Sequence, residues 1–221
     1  MSEAGAGALQ TSRIYEGLPP CGSGQRIGLY GGSFNPPHEG HRRIALIALR
    51  RLRLDAIWWL VTPGNPLKAA SGLPPLHARM QAVAGLAAHP RMIVSGVEAK
   101  FRTRFTADLT ALLKARLPAV RFVWIMGGDN LATFHRWDRW RDIAAAFPIA
   151  VINRPGSLAA PLGSPAARAL ADYRIPEAAS RKLALRNPPA WVYINAPRTA
   201  ASSTEIRASG VDVPATTGKN S

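Results

Sequence analysis

A single cysteine, Cys21, in 221 residues leaves the chain without an internal disulfide. A bridge-stapled fold is excluded, and a reducing, cytoplasmic compartment is expected. Long hydrophobic runs are also lacking. Apolar stretches such as Ala56 to Val61 are strand-sized, far short of the roughly 18 uninterrupted apolar residues of a membrane-spanning helix. The first 25 residues carry Glu3 and Glu16 and no continuous apolar segment, so residues 1–25 read as a flexible leader and not as a secretory signal. Acidic residues are scarce: 13 Asp and Glu stand against 28 Lys and Arg, for a net charge of +15. Such a balance favours polyanionic partners, whether nucleic acid, anionic lipid or a phosphate-bearing small molecule. The basic residues are dispersed and form no RNA-binding or zinc-finger pattern, which argues against a nucleic-acid-binding protein. Glycine and proline, 19 each, follow no three-residue period, so fibrous readings drop out.

What is present is the composition of a globular chain, 47% hydrophobic and 19% charged, long enough for one sizeable domain. From residue 26 onward, apolar runs alternate with helical stripes. Strands are predicted at Arg26 to Tyr30, Ala56 to Thr62, Arg91 to Ser95, Val120 to Met126, Pro148 to Ile152 and Trp191 to Ile194. Helices are predicted over His38 to Leu54, Pro74 to Ala88, Thr106 to Leu117 and Pro165 to Leu185. The alternation predicts a doubly wound α/β domain over residues 26–208, with a mostly parallel, Rossmann-like sheet and a flexible tail over 209–221. Ligands bind such folds outside the carboxyl ends of the strands, so motifs that directly follow strands matter most.

Gly31-Gly32-Ser33-Phe34-Asn35-Pro36-Pro37-His38-Glu39-Gly40-His41 follows the first of these strands. The glycines let a ligand approach the backbone, and the prolines prepare a helix start. His38 and His41, about 300° apart around a helix, project from nearly one face beside unpaired amides and the positive helix end. Each imidazole can donate an N–H to a phosphate oxygen whether neutral or charged. A zinc site is the rival use of paired histidines, but no third ligand stands at a recognisable spacing.

This string resembles the signature of the nucleotidylyltransferase superfamily, and its His38/His41 form is similar to that of the bacterial nicotinate-nucleotide adenylyltransferases. The resemblance runs from about Arg26 to Arg207. It implies transfer of the adenylyl group of ATP to nicotinate mononucleotide, giving nicotinate adenine dinucleotide and pyrophosphate in NAD biosynthesis. It assigns Gly31, Gly32, Ser33, Phe34 and Gly40 to ATP, with His38 and His41 catalytic. Ser202-Ser203-Thr204-Glu205-Ile206-Arg207 has the Ser-x-x-Glu spacing of a helix capping box. It resembles the superfamily's second signature, in which Ser202, Ser203 and Thr204 would bind the outer phosphates of ATP and Arg207 would join the catalytic set. Mg²⁺ is implied by the charge of the pyrophosphate and by the family, held mainly through phosphates and water because no carboxylate cluster is visible.

The remaining blocks concern the acceptor nucleotide. Gly127-Gly128-Asp129-Asn130 follows a strand. Asp129 there suits ribose hydroxyls or, more plainly, caps the next helix. The family places an Asp in its dinucleotide site, which assigns Gly128 and Asp129 to nicotinate mononucleotide. Trp137 resembles the family tryptophan that stacks on the pyridine ring, whereas Trp58, Trp59 and Trp124 sit inside strand-like runs and belong to the core. Pro63-Gly64-Asn65-Pro66-Leu67-Lys68 is a shortened form of a family loop that lacks its usual histidine, putting Asn65 near substrate and Lys68 near phosphate. Thr106, in an Arg-Phe-Thr block where the family has Tyr-Thr, is assigned to the pyridine carboxylate. Arg42, Arg43, Arg50 and Arg51 read as a solvated helix face. The related pantetheine-phosphate adenylyltransferases normally carry Thr where His38 stands, are shorter, and so fit less well.

Overall fold

Six strand-sized apolar runs, with two short segments added at the edges, become the eight parallel strands of one sheet: β1 (Arg13–Tyr15), β2 (Arg26–Gly32), β3 (Ala56–Val61), β4 (Met92–Ser95), β5 (Arg121–Gly127), β6 (Ile149–Asn153), β7 (Arg174–Ile175) and β8 (Trp191–Asn195). The computed structural model describes residues 12–64, 73–153 and 161–196. The spatial order is β1-β4-β3-β2-β5-β6-β8-β7. From β2 the chain steps outward to β3 and β4, then returns to β5 on the other side, so the winding reverses between β2 and β5. Such a reversal opens a crevice at the carboxyl ends of those two strands.

Helices α1 (Glu39–Arg51), α2 (Leu76–Leu86), α3 (Val97–Phe101), α4 (Thr106–Arg116), α5 (Gly128–Thr133), α6 (Trp140–Ala146) and α7 (Pro165–Ala169) cover the sheet. Strand alternation divides the core in two. Tyr30, Ile57, Trp59 and Val61 meet Ile44, Ala48 and Leu49 of α1 and Val83 of α2 on one face. Ile27, Leu29, Trp58 and Leu60 meet Leu109 and Leu113 of α4 and Ile143 of α6 on the other. Each fully buried Leu, Ile or Val contributes about 1.5–3 kcal/mol. Trp58, Trp59 and Trp124 are fully buried, as their place in strands requires. Gly28 on β2 faces Ile125 and Leu54 so closely that a Cβ would lie 2.5 and 2.7 Å from their methyls.

Three expectations change. The leader is tied down from Ser12 onward: β1 extends the sheet parallel to β4, with Arg13 opposite Ile93. Its flank is also fixed, by Ser12 Oγ donating to the Ala87 carbonyl at 3.0 Å and Ser95 Oγ to that of Gly17 at 2.7 Å. A three-residue strand has too little pattern to read, and only its partner makes it a strand. The helix expected over Pro165 to Leu185 is instead α7, a 3₁₀ turn, β7 and a 3₁₀ helix over Glu177–Leu185. Pro176, which breaks α-helical hydrogen bonding, stands at the N-cap of that last segment. The short helices α3, α5 and α6 were not anticipated, because five to seven residues carry less than two turns of period. The arginine face of α1 largely behaves as expected: Arg50 and Arg51 are exposed, Arg42 pairs with Glu39 at 3.1 Å and Arg51 with Glu177 at 2.8 Å.

Candidate active site

A cleft of about 320 Å³ opens where β2 and β5 diverge, walled by the loop from Gly31 to His38, by His41, and by Gly127, Asp129 and Asn130. Its floor depends on small residues. A Cβ on Gly31 would lie 3.1 Å from the Trp124 ring, so a side chain there would press the indole aside by a few tenths of an ångström. Phe34 adopts φ 45°, a left-handed conformation that is costly for a bulky residue. Its ring is buried against Tyr30 at 5.5 Å and Trp59 at 5.2 Å, and that packing holds the strained turn.

His38 is the N-cap of α1, and its backbone N–H donates to Nδ1 of His41 at 3.2 Å. That bond fixes the His41 tautomer, leaving Nε2 to carry the proton of the neutral ring. The imidazole centroids stand 3.8 Å apart, and the His41 ring also rests edge-on against Phe34 at 5.2 Å. Two imidazoles thus sit at the positive end of a 13-residue helix, on the wall of the crevice. Such an arrangement binds an anion and can follow charge from one oxygen to the next.

Opposite, Gly127 and Gly128 open α5. The Asp129 carboxylate folds back over the place a Gly127 Cβ would occupy, and a Cβ on Gly128 would meet Asn153 Oδ1 at 2.7 Å. Asp129 is the carboxylate on the cleft wall. Among the described residues no three of His, Cys, Asp and Glu come together.

Thr106 and Trp137 lie outside this cleft's wall, toward the α4 and α6 side. Thr106 is the first residue of α4, and Asp108 in that first turn accepts the Phe105 N–H at 3.1 Å. Trp137 ends the 3₁₀ turn Phe134–Arg136, half-buried with its ring edge-on to Phe134 at 5.4 Å. The two segments are tied together by Arg139, which pairs with Asp108 and, at 2.8 Å, with Asp138. The guanidinium holds the Asp108 carboxyl below the usual carboxylate range. Neither Asp108 nor Arg139 stood out in the sequence, since a salt bridge 31 positions apart leaves no local signal.

Arg79 was also missed. It is 3% exposed on α2, where its guanidinium reaches the backbone of the cleft loop at Ser33. Of the remaining expected site residues, Gly40 lies in the first turn of α1. Asn65, Lys68, Ser202, Ser203, Thr204 and Arg207 fall outside the described residues.

A parallel sheet whose switch-point crevice presents a helix N-terminus, two imidazoles and a glycine-rich loop defines a nucleotide-binding α/β protein built to grip phosphates. The family described as Cytidylyltransferase-like matches residues 29–209. Proteins named "Probable nicotinate-nucleotide adenylyltransferase" are similar over most of their length. The one from Brucella abortus is 53% identical over 181 residues, 82% of this chain and 93% of the relative. The one from Bradyrhizobium sp. is 55% identical over 182 residues, 82% of this chain and 95% of the relative. The fold is similar to that of Plasmodium falciparum nicotinic acid mononucleotide adenylyltransferase complexed with NaAD, with a TM-score of 0.59 at 18% identity over 83% of each chain. The chain belongs to the cytidylyltransferase-like family, among its nicotinate-nucleotide adenylyltransferases.

Proposed function

We propose that the protein joins ATP and nicotinate mononucleotide into nicotinate adenine dinucleotide, releasing pyrophosphate. A phosphate oxygen of the mononucleotide attacks the α-phosphorus of ATP in line. The bond from that phosphorus to the bridging oxygen breaks, and the electron pair leaves with pyrophosphate. The nucleophile is already an anion, so no base has to create it, and catalysis is positioning and charge stabilisation. The observation that carries this reading is the close His38–His41 pair at the start of α1, with ring centroids 3.8 Å apart and planes tilted by 31°. Their N–H groups, with the loop amides from Gly31 to Ser33, meet charge that moves from the α-phosphate toward the leaving group. Gly40, in the first turn of α1, joins the ATP contacts by family resemblance.

Asp129 and Gly128 face the dinucleotide's ribose from the α5 side. Thr106 and Trp137, held together through Asp108 and Arg139, take the pyridine ring, the threonine meeting the carboxylate and the indole stacking on the ring. Magnesium, when it arrives with ATP, offsets the charge of the triphosphate. It would be held mainly through the phosphate oxygens and water. Ser202, Ser203, Thr204 and Arg207, with Asn65 and Lys68, complete the substrate contacts in this reading, by family resemblance.

The test is pyrophosphate release and dinucleotide formation with Mg²⁺, ATP and either nicotinate or nicotinamide mononucleotide at millimolar concentration. Release with the nicotinate form, at a several-fold higher kcat/KM than with the amide, is expected, because a mismatched buried donor costs about 1–3 kcal/mol. No pyrophosphate release with either overturns the proposal, and equal kcat/KM overturns the base preference.

A further inference from the structure

Arg79 is a buried cation whose hydrogen-bond partners among the described residues are neutral. It is 3% exposed, and among the described residues no carboxylate pairs with it. Among the described residues its guanidinium is solvated by backbone carbonyls. Nε donates to Pro74 at 3.0 Å, Nη1 to Ser33 at 2.9 Å and to Thr62 at 2.8 Å, and Nη2 to Pro63 at 3.2 Å. These carbonyls belong to three separate segments: the loop after β2, the loop after β3 and the lead-in to α2. Thr62 closes the junction from the other side, its N–H donating to the Gly32 carbonyl at 3.1 Å.

Two consequences follow from this placement. A carbonyl at Ser33 turned toward the cleft would repel phosphate, and Arg79 holds that oxygen on the protein side. The positive charge also stands directly behind the cleft wall, since Ser33 is both its hydrogen-bond partner and part of the lining. Buried charge without a counter-ion is expensive, and arginine stays protonated at neutral pH. An anion seated across that wall is the natural complement.

We propose that Arg79 is a positioning residue for the phosphate cradle: it locks the β2 and β3 loops into one unit and sets an uncompensated positive charge behind the nucleotide-binding wall. The inference rests on the proposed function for its kinetic readout, but its structural readout stands apart. The two contributions separate by substitution. Lysine keeps the charge but, as a compact ammonium, does not reproduce the planar fork that spans four carbonyls. Methionine keeps much of the volume and loses both.

The experiment compares wild-type protein, Arg79→Lys and Arg79→Met, each checked for folding by circular dichroism. Three quantities are measured: pyrophosphate release kinetics, Mg·ATP titration by calorimetry, and hydrogen exchange of peptides covering 28–38, 60–64 and 121–127. For Arg79→Met, loosening of the cradle should lower kcat about 100-fold, and loss of the charge should raise the KM and Kd for ATP about tenfold. For Arg79→Lys, KM and Kd should return to near wild type while kcat stays at least about tenfold down. Exchange should quicken in 28–38 and 60–64 together and stay unchanged in 121–127.

Wild-type kcat in a folded Arg79→Met protein, or full recovery of kcat by lysine, overturns the proposal. So does exchange that rises uniformly across the sheet, which marks a role in stability alone. If Arg79→Met does not fold, the lysine variant decides by itself through loss of kcat at constant KM. If the wild type makes no dinucleotide, the proposed function fails, and the exchange and ATP titrations still test the clamp.

Discussion

Replacing Glu98 with glutamine should stabilise the protein at pH 8 and do progressively less as the pH falls. Glu98 lies in the first turn of α3, directly after β4, and is half-buried. Its main-chain carbonyl accepts the Thr103 N–H at 3.0 Å, but no donor among the described residues meets its carboxylate. Burial alone pushes that carboxyl up from 4.5 to about 7. In the unfolded chain it ionises near the lower value and in the folded protein near the higher. Between them the unfolded state sheds a proton that the folded state keeps. Stability therefore falls as pH rises through this window, is fully penalised above about 7, and is unaffected below the unfolded value. At about 1.4 kcal/mol per pKa unit the ceiling is about 3 kcal/mol, and water reaching a half-buried carboxylate reduces this to about 1–2.

Glutamine keeps the shape without the charge. For a domain of this size each kcal/mol moves Tm by about 2–4 °C, so Glu98→Gln should gain roughly 2–8 °C at pH 8 and little at pH 5. Melting curves of both proteins across pH 5 to 8 provide the measurement. A gain that does not change with pH, or a wild type that is the more stable at pH 8, would refute the reasoning. Either result would mean that the carboxylate is ionised and well solvated in the fold.

Other outcomes follow from the cleft and its supports. His41→Ala should lower kcat far more than it raises KM for ATP, because its hydrogen bond strengthens as charge develops. An unchanged kcat with weaker ATP binding would move His41 from catalysis to recognition. Asp108→Asn removes the charge that Arg139 holds and should raise KM for nicotinate mononucleotide several-fold while leaving KM for ATP unchanged, a split read by varying each substrate in turn. Gly28→Ala forces a methyl against Ile125 and Leu54 and should cost about 1–3 kcal/mol in urea unfolding. A neutral result would mean that this part of the core is slack.

What was legible in the sequence was local. Strand-sized runs such as Ala56 to Val61 are apolar at every position because both faces are covered, and they became buried strands. The Gly-Gly pair, the prolines and the two histidines are joined within eleven residues, so the loop's place between a strand and a helix start could be read before the fold was known. Trp58, Trp59 and Trp124 were assignable to the core for the same reason. Only the tertiary structure decided matters that depend on partners remote in the chain. Arg13–Tyr15 is a strand because β4 lies beside it, and the Pro165 to Leu185 segment breaks up around a short strand that pairs with β8. Arg79 lies in a predicted helix with nothing local to set it apart until the fold brings Ser33, 46 positions away, within reach. Local propensity acts over a turn or a strand. Hydrogen bonds and ion pairs between distant segments arise only once the hydrophobic faces have packed, so the residues that steady this site carry no mark in the sequence around them.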